Sequence, residues 1–97
     1  MTLVFDERAL ADIEDIFNWI AQDNAAVAKA VVQRVSESLE LLTKFPNMGR
    51  VGRDPSTREW VIPRLPYVAV YEVDGPHDQV IVTAIFHGAQ DRNGDDS

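Results

Sequence analysis

Cysteine is absent from this 97-residue sequence, which excludes disulfides, thiolate catalysis and cysteine metal sites. No apolar run approaches the ~20 residues that span a bilayer. The opening residues, Met1 to Arg8, turn acidic where a secretory leader would turn apolar, so the cytoplasm is the expected compartment. Histidine occurs only at His77 and His87, and neither has a neighbour at a metal-ligand spacing, so no metal or other cofactor is expected. Serines occur at 36, 38, 56 and 97, none of them in a nucleophile elbow. Gly49-Arg50-Val51-Gly52 lacks the lysine and hydroxyl of a phosphate-binding loop.

Basic residues are scarce as well. Nine lysines and arginines stand against sixteen carboxylates, a net charge of −7, which opposes nucleic-acid binding through the whole surface. The one basic island lies mid-chain, where Arg50, Arg53, Arg58 and Arg64 outnumber Asp54 and Glu59. No lysine follows Lys44, and the C-terminal end is acidic. Any contact with phosphate is therefore expected to be local.

What remains is the composition of one compact domain, 45% hydrophobic and 26% charged. A chain this short buries only about 60–65% of its unfolded surface, so a partner can contribute substantially to its stability. Thr2 to Phe5 reads as a strand. Asp6 is placed to cap a helix, with Phe5 and Leu10 at the positions of a hydrophobic staple. Ala9, Ile13, Ile16, Phe17 and Ile20 then recur at helical spacing as far as about Gln22. Trp19 stands about 120° from the centre of that stripe, so its indole either packs on the second helix or meets a partner.

The second helix is expected from Ala25 to Lys44, with Ala28, Val31, Val32, Val35, Leu39 and Leu42 on one face and Pro46 as its stop. Residues 46–57 read as loop. Strands are expected at 58–62, 67–73 and 79–86, and residues 90–97 as a frayed tail. The order is β-α-α-β-β-β, an α+β fold with a helical hairpin on one face of a mainly antiparallel sheet. Strict alternation puts Val80, Val82, Ala84 and Phe86 on one face of the last strand and Ile81, Thr83, Ile85 and His87 on the other. Neither face is plainly polar, so the face away from the helices looks under-covered.

These motifs, in this order, resemble the ParE/RelE toxin superfamily and within it the ParE branch. The matching runs are Ala9-x-x-Asp12-Ile13-x-x-Ile16-x-x-Trp19-Ile20, Pro46-x-x-Gly49-Arg50-x-Gly52-Arg53, Thr57 to Ile62, Pro66 to Val73 and Ile85 to Gln90, and the resemblance as a whole covers residues 3–90. The resemblance implies a type II toxin neutralised by an antitoxin encoded beside it, of ribbon-helix-helix type with a disordered tail. ParE-like toxins inhibit DNA gyrase by binding, whereas RelE-like toxins cut mRNA on the ribosome. DNA contact is then expected only through the antitoxin.

Cutting RNA by 2′-hydroxyl attack requires a base, an acid and cations around a pentavalent phosphate. Arg50, Arg58, Glu59 and His87 are the available candidates. Against them, Val68 stands where the nuclease pattern Tyr-Arg-x-x-Tyr has its arginine, and Gly88-Ala89-Gln90-Asp91 replaces a basic-aromatic strand end. The expectation is a gyrase-binding toxin, with Arg50, Arg53, Arg58, Arg64 and His87 as target-contact candidates. Trp19, Val31, Val35, Trp60, Val68, Val70, Ile81 and Ile85 are the candidates for antitoxin contact. A nuclease is the alternative, and an inactive toxin serving as co-repressor the second.

Overall fold

The computed structural model describes residues 1–89; the expectation of a frayed tail at 90–97 lies outside them. Seven elements follow one another: β1 (Thr2–Phe5), α1 (Glu7–Ala21), α2 (Ala25–Lys44), β2 (Arg50–Val51), β3 (Arg58–Val61), β4 (Tyr67–Asp74) and β5 (Gln79–His87). No helix among them is long and apolar enough to cross a membrane.

Both helices start where side-chain caps dictate. Asp6 Oδ1 accepts the Ala9 amide at 2.9 Å, and Asn24 Oδ1 accepts the Val27 amide at 3.1 Å, each satisfying a donor that the helix leaves unpaired. The staple is not made: Leu10 is exposed, and Phe5 packs against the core instead. Lys44 is the last residue of α2, as Pro46 requires.

The sheet has the order β1-β5-β4-β3-β2. β1 runs parallel to β5, and every other pairing is antiparallel. One strand was not expected: Arg50–Val51, inside the segment read as loop, pairs with Glu59 and Arg58. Two residues are too few to show alternation, and their pairing is imposed by β3.

A β-bulge corrects the face assignment of β5. Val70 pairs with Ala84 but Tyr71 pairs with Val82, which leaves Thr83 as an extra residue. Residues opposite one another share a face. The bulge therefore moves Ile85 and His87 onto the helix-covered face with Val80 and Val82, and Ala84 and Phe86 onto the open face with Ile81. Tyr67, Ala69 and Tyr71 join Trp60, Val80, Val82 and Ile85 from the sheet, and Ala9, Val35, Leu39 and Leu42 from the helices, in one core. The opposite face carries Val4, Ile81, Val68, Val70, Ala84, Phe86 and Val61, and neither α1 nor α2 lies over it.

Candidate functional site

After α2 the chain returns across β4 in a loop whose position is fixed by two side chains. The buried Tyr71 hydroxyl accepts the Gly49 amide at 2.9 Å and donates to the Pro46 carbonyl at 2.7 Å. Burial raises the Tyr71 pKa, opposed by its bond to Gly49 and by the nearby Arg58 charge. Arg58 Nη1 donates to the Gly49 carbonyl at 2.6 Å and the Asn47 carbonyl at 3.4 Å. A Cβ on Gly49 would lie 2.8 Å from the Tyr71 hydroxyl and 2.9 Å from the Glu59 carbonyl, so only glycine allows this approach.

The loop's second half is built on Asp54, whose Oδ1 accepts the Ser56 amide and hydroxyl, at 2.9 and 2.8 Å. Those bonds to Ser56 hold the Asp54 pKa below its usual value. The Gly52 amide then donates to Thr57 at 2.8 Å, closing the turn into β3. Arg53 is exposed within this turn.

The arginine island is thereby distributed rather than gathered. Arg50 and Glu59 face each other on the open side of the sheet, Nη2 to Oε1 at 3.7 Å, with the Arg50 side chain 81% exposed. Arg58 lies on the helix-covered side opposite Tyr71, engaged with the loop carbonyls. His87 lies opposite Tyr67, four residues along β4 from Tyr71 and so about 13 Å away. The four groups that a nuclease would need do not converge on one point.

Arg64 sits in the β3–β4 turn with φ of 67°, where the Leu65 amide closes onto the Ile62 carbonyl at 3.2 Å. Pro63 before it and a positive φ at Arg64 are the marks of a type II turn, whose third position suits glycine.

The candidates for antitoxin contact divide sharply. Val35, Trp60 and Ile85 are buried in this chain's own core, a correction whose cause for Ile85 is the bulge at Thr83. Trp60 and Val35 are claimed by the meeting of α2 with the sheet's covered face. Val31 is half-buried against that core. Val68, Val70 and Ile81 lie on the open face, Val70 nearly covered and the other two half-exposed. Trp19 is 72% exposed, so it does not pack on α2.

Trp19 instead stands at a groove of about 580 Å³ between α1 and β5, lined also by Asp12, Asp15, Tyr67, Ile85 and His87. Asp12 Oδ2 accepts the Ile85 amide at 2.9 Å, tying the helix to the strand. His87 meets Tyr67 edge to face, with ring centroids 5.5 Å apart. Its Nδ1 accepts the Ala89 amide at 2.9 Å, which places the proton of the neutral ring on Nε2. Burial raises the Tyr67 pKa. The sequence signal for this groove was present but weak: Asp12, Asp15 and Trp19 all lie off the apolar stripe of α1, as do ordinary solvent-facing residues.

Among the described residues no group of three metal-ligating side chains comes together. His77 Nδ1 has Asp74 Oδ2 at 2.8 Å in the exposed β4–β5 turn, a pair that closes the turn.

Known proteins share both the sequence pattern and this arrangement. Residues 3–92 match the family described as "ParE toxin of type II toxin-antitoxin system, parDE". Over 83 residues the chain is 35% identical to "Putative toxin Y4kP" of Sinorhizobium fredii, covering 86% of this chain and 83% of that protein. In fold it is similar to a chain of the chromosomal ParDE toxin–antitoxin system of P. aeruginosa, with a TM-score of 0.78 at 23% identity over 90% of this chain and 95% of the other. It is also similar to the isolated E. coli RelE toxin, with a TM-score of 0.67 at 18% identity over 98% and 92%. With pattern, relative and fold in agreement, the chain belongs to the ParE toxin family of type II toxin–antitoxin systems.

Proposed function

We propose that this chain acts by binding, with DNA gyrase as its target and a ribbon-helix-helix antitoxin encoded beside it as its constant partner. The observation that carries this is the dispersal of the would-be nuclease groups. Arg58 is spent on the Gly49 and Asn47 carbonyls, Arg50 and Glu59 occupy the opposite face, and His87 is remote from all three. Metal-free cleavage of RNA draws its rate from charges aimed at one phosphate, and removing a single such donor costs about 10²–10³ in rate. The solved relatives in the ParDE and RelBE complexes support the antitoxin as partner. DNA is reached through that antitoxin, since this chain carries a net charge of −7.

The deciding experiment is pulse incorporation of labelled thymidine and methionine within minutes of inducing the chain without antitoxin. Early loss of thymidine uptake, with methionine uptake intact, is the expected result. Early loss of methionine uptake would overturn the gyrase reading in favour of the ribosome. Loss of neither, with antitoxin still bound, would leave a toxin in shape only, serving as co-repressor. His87→Ala is expected to leave growth arrest intact, whereas a nuclease using His87 would lose most of its turnover.

A further inference from the structure

The five-stranded sheet ends in two unlike edges. On one side lies β2, two residues long, exposed at Arg50 and followed by Gly52 and Pro55, features that blunt an edge against further pairing. On the other lies β1, which carries no charge, proline or bulge, and among the described residues no strand lies beyond it. β5 ends at His87, five residues past Val82 opposite Phe5, so the β1 edge is not the one on which β5 ends.

The main chain of β1 shows which groups this edge presents. The Thr2 and Asp6 amides donate to the Asp78 and Val82 carbonyls, at 2.9 and 3.0 Å. In a strand, alternate residues turn N–H and C=O to the same side. Thr2, Val4 and Asp6 therefore serve β5, whereas Leu3 and Phe5 turn both groups outward. Neither has a main-chain partner on that side among the described residues.

Those groups complement themselves. When two copies of β1 run antiparallel with Val4 opposite its own copy, Leu3 faces Phe5 of the second copy, and each such pair exchanges both N–H···O bonds. A register slipped by two residues pairs Leu3 or Phe5 with itself and carries the other past the end of the strand. The two-fold axis is normal to the sheet, so like faces stay together. Leu3 and Phe5, which pack against the core, meet on the helix-covered face and join one core to the other. On the open face Thr2 meets Asp6, which lines that face with Val70, Ala84 and Phe86. No two carboxylates of the paired strands stand opposite one another.

We propose that a second copy of this chain docks on the β1 edge, antiparallel and centred on Val4, joining two five-stranded sheets into one of ten strands. Both helical hairpins then lie on one side of that sheet and both open faces on the other. This goes beyond the toxin reading and does not depend on it. An interface of this small area is weak, so dimerisation is expected at about 10–100 µM.

The test uses the full chain, purified alone. Sedimentation velocity from about 1 to about 500 µM, in about 0.5 M salt to screen the repulsion between two chains of net charge −7, is expected to show monomer passing to dimer. The sequence has no cysteine, so a single introduced one reports its own neighbour. Across the axis the Val4 Cα atoms stand about 4.5 Å apart, within disulfide reach, while Thr2 stands about 13 Å from its copy. Under mild oxidation Val4→Cys is expected to cross-link at least about fivefold faster than Thr2→Cys. Thr2 is exposed, so charge there spares the fold. Facing Asp6 of the second copy, Thr2→Lys is expected to tighten the dimer by about threefold and Thr2→Glu to loosen it by about as much.

A chain that stays monomeric at about 500 µM would overturn the proposal. So would a dimer that cross-links as readily at Thr2→Cys as at Val4→Cys, because the copies then meet elsewhere or in another register. If Val4→Cys does not fold, the Thr2 charge variants decide: a dimer indifferent to both is not centred on Val4, and the proposal fails.

Discussion

Removing one oxygen atom tests how the loop after α2 is held. In Tyr71→Phe the ring keeps its place in the core while the hydroxyl that accepts from Gly49 and donates to Pro46 is lost. Gly49 is buried, so its amide is left without a partner and without water. An abandoned buried donor costs about 1–3 kcal/mol, and the Pro46 carbonyl, half-buried, recovers part of its loss from solvent. A central value of about 2 kcal/mol is a fifth to two-fifths of the ~5–10 kcal/mol expected for a chain of this size. It corresponds to about a 10 °C fall in Tm, from the usual unfolding entropy per residue. Urea unfolding gives the free energy, and amide hydrogen exchange at Gly49 separates local from global opening. If the loop opens alone, exchange at Gly49 accelerates by more than exchange in β4. The reasoning is refuted if Tm changes by less than about 2 °C and Gly49 exchanges as slowly as in the parent protein.

Gly49→Ala forces a methyl group into the Tyr71 hydroxyl and the Glu59 carbonyl and is expected to cost about 1–3 kcal/mol by urea unfolding, with the m-value unchanged. Both tyrosines have pKa values raised by burial above the ordinary 10.0, so the unfolded chain releases these protons first. Their contribution to stability is whole below about pH 10 and is lost as pH rises through the folded values, and Tyr67→Phe should flatten that alkaline decline in a denaturation series. Arg64 holds φ of 67°, so Arg64→Val is expected to lower stability by about 1 kcal/mol, while Arg64→Gly leaves it within about 0.5 kcal/mol.

The helices were legible because their limits are local chemistry. Asp6, Asn24 and Pro46 act on backbone groups within a turn, so both helices begin, and α2 ends, where those residues require. The strands were legible as segments, but not in their facing. Thr83 is an ordinary strand residue, and nothing in its neighbours announces that it stands opposite no residue of β4. That single insertion decides whether Ile85 or Ala84 reaches the core. The site was least legible where a side chain serves the main chain. Arg58 has the composition of a phosphate ligand and the position of a loop clamp, and only the approach of Gly49 distinguishes them. Asp12 likewise meets Ile85 across 73 residues of sequence, a distance at which spacing carries no information.

The parallel pairing of β1 with β5 bears on how the protein is born. Residues 2–5 leave the ribosome well before residues 79–82, their one strand partner among the described residues. The α1–α2 hairpin can form early from local contacts, but its apolar face stays uncovered until the last strand arrives. A nascent chain stopped before residue 79 therefore has no place to dock its first strand and no edge for Asp12 to hold. The sheet is completed only once residue 87 has emerged, so the covered face of the hairpin and the open face of the sheet come into being together, late and in a single step.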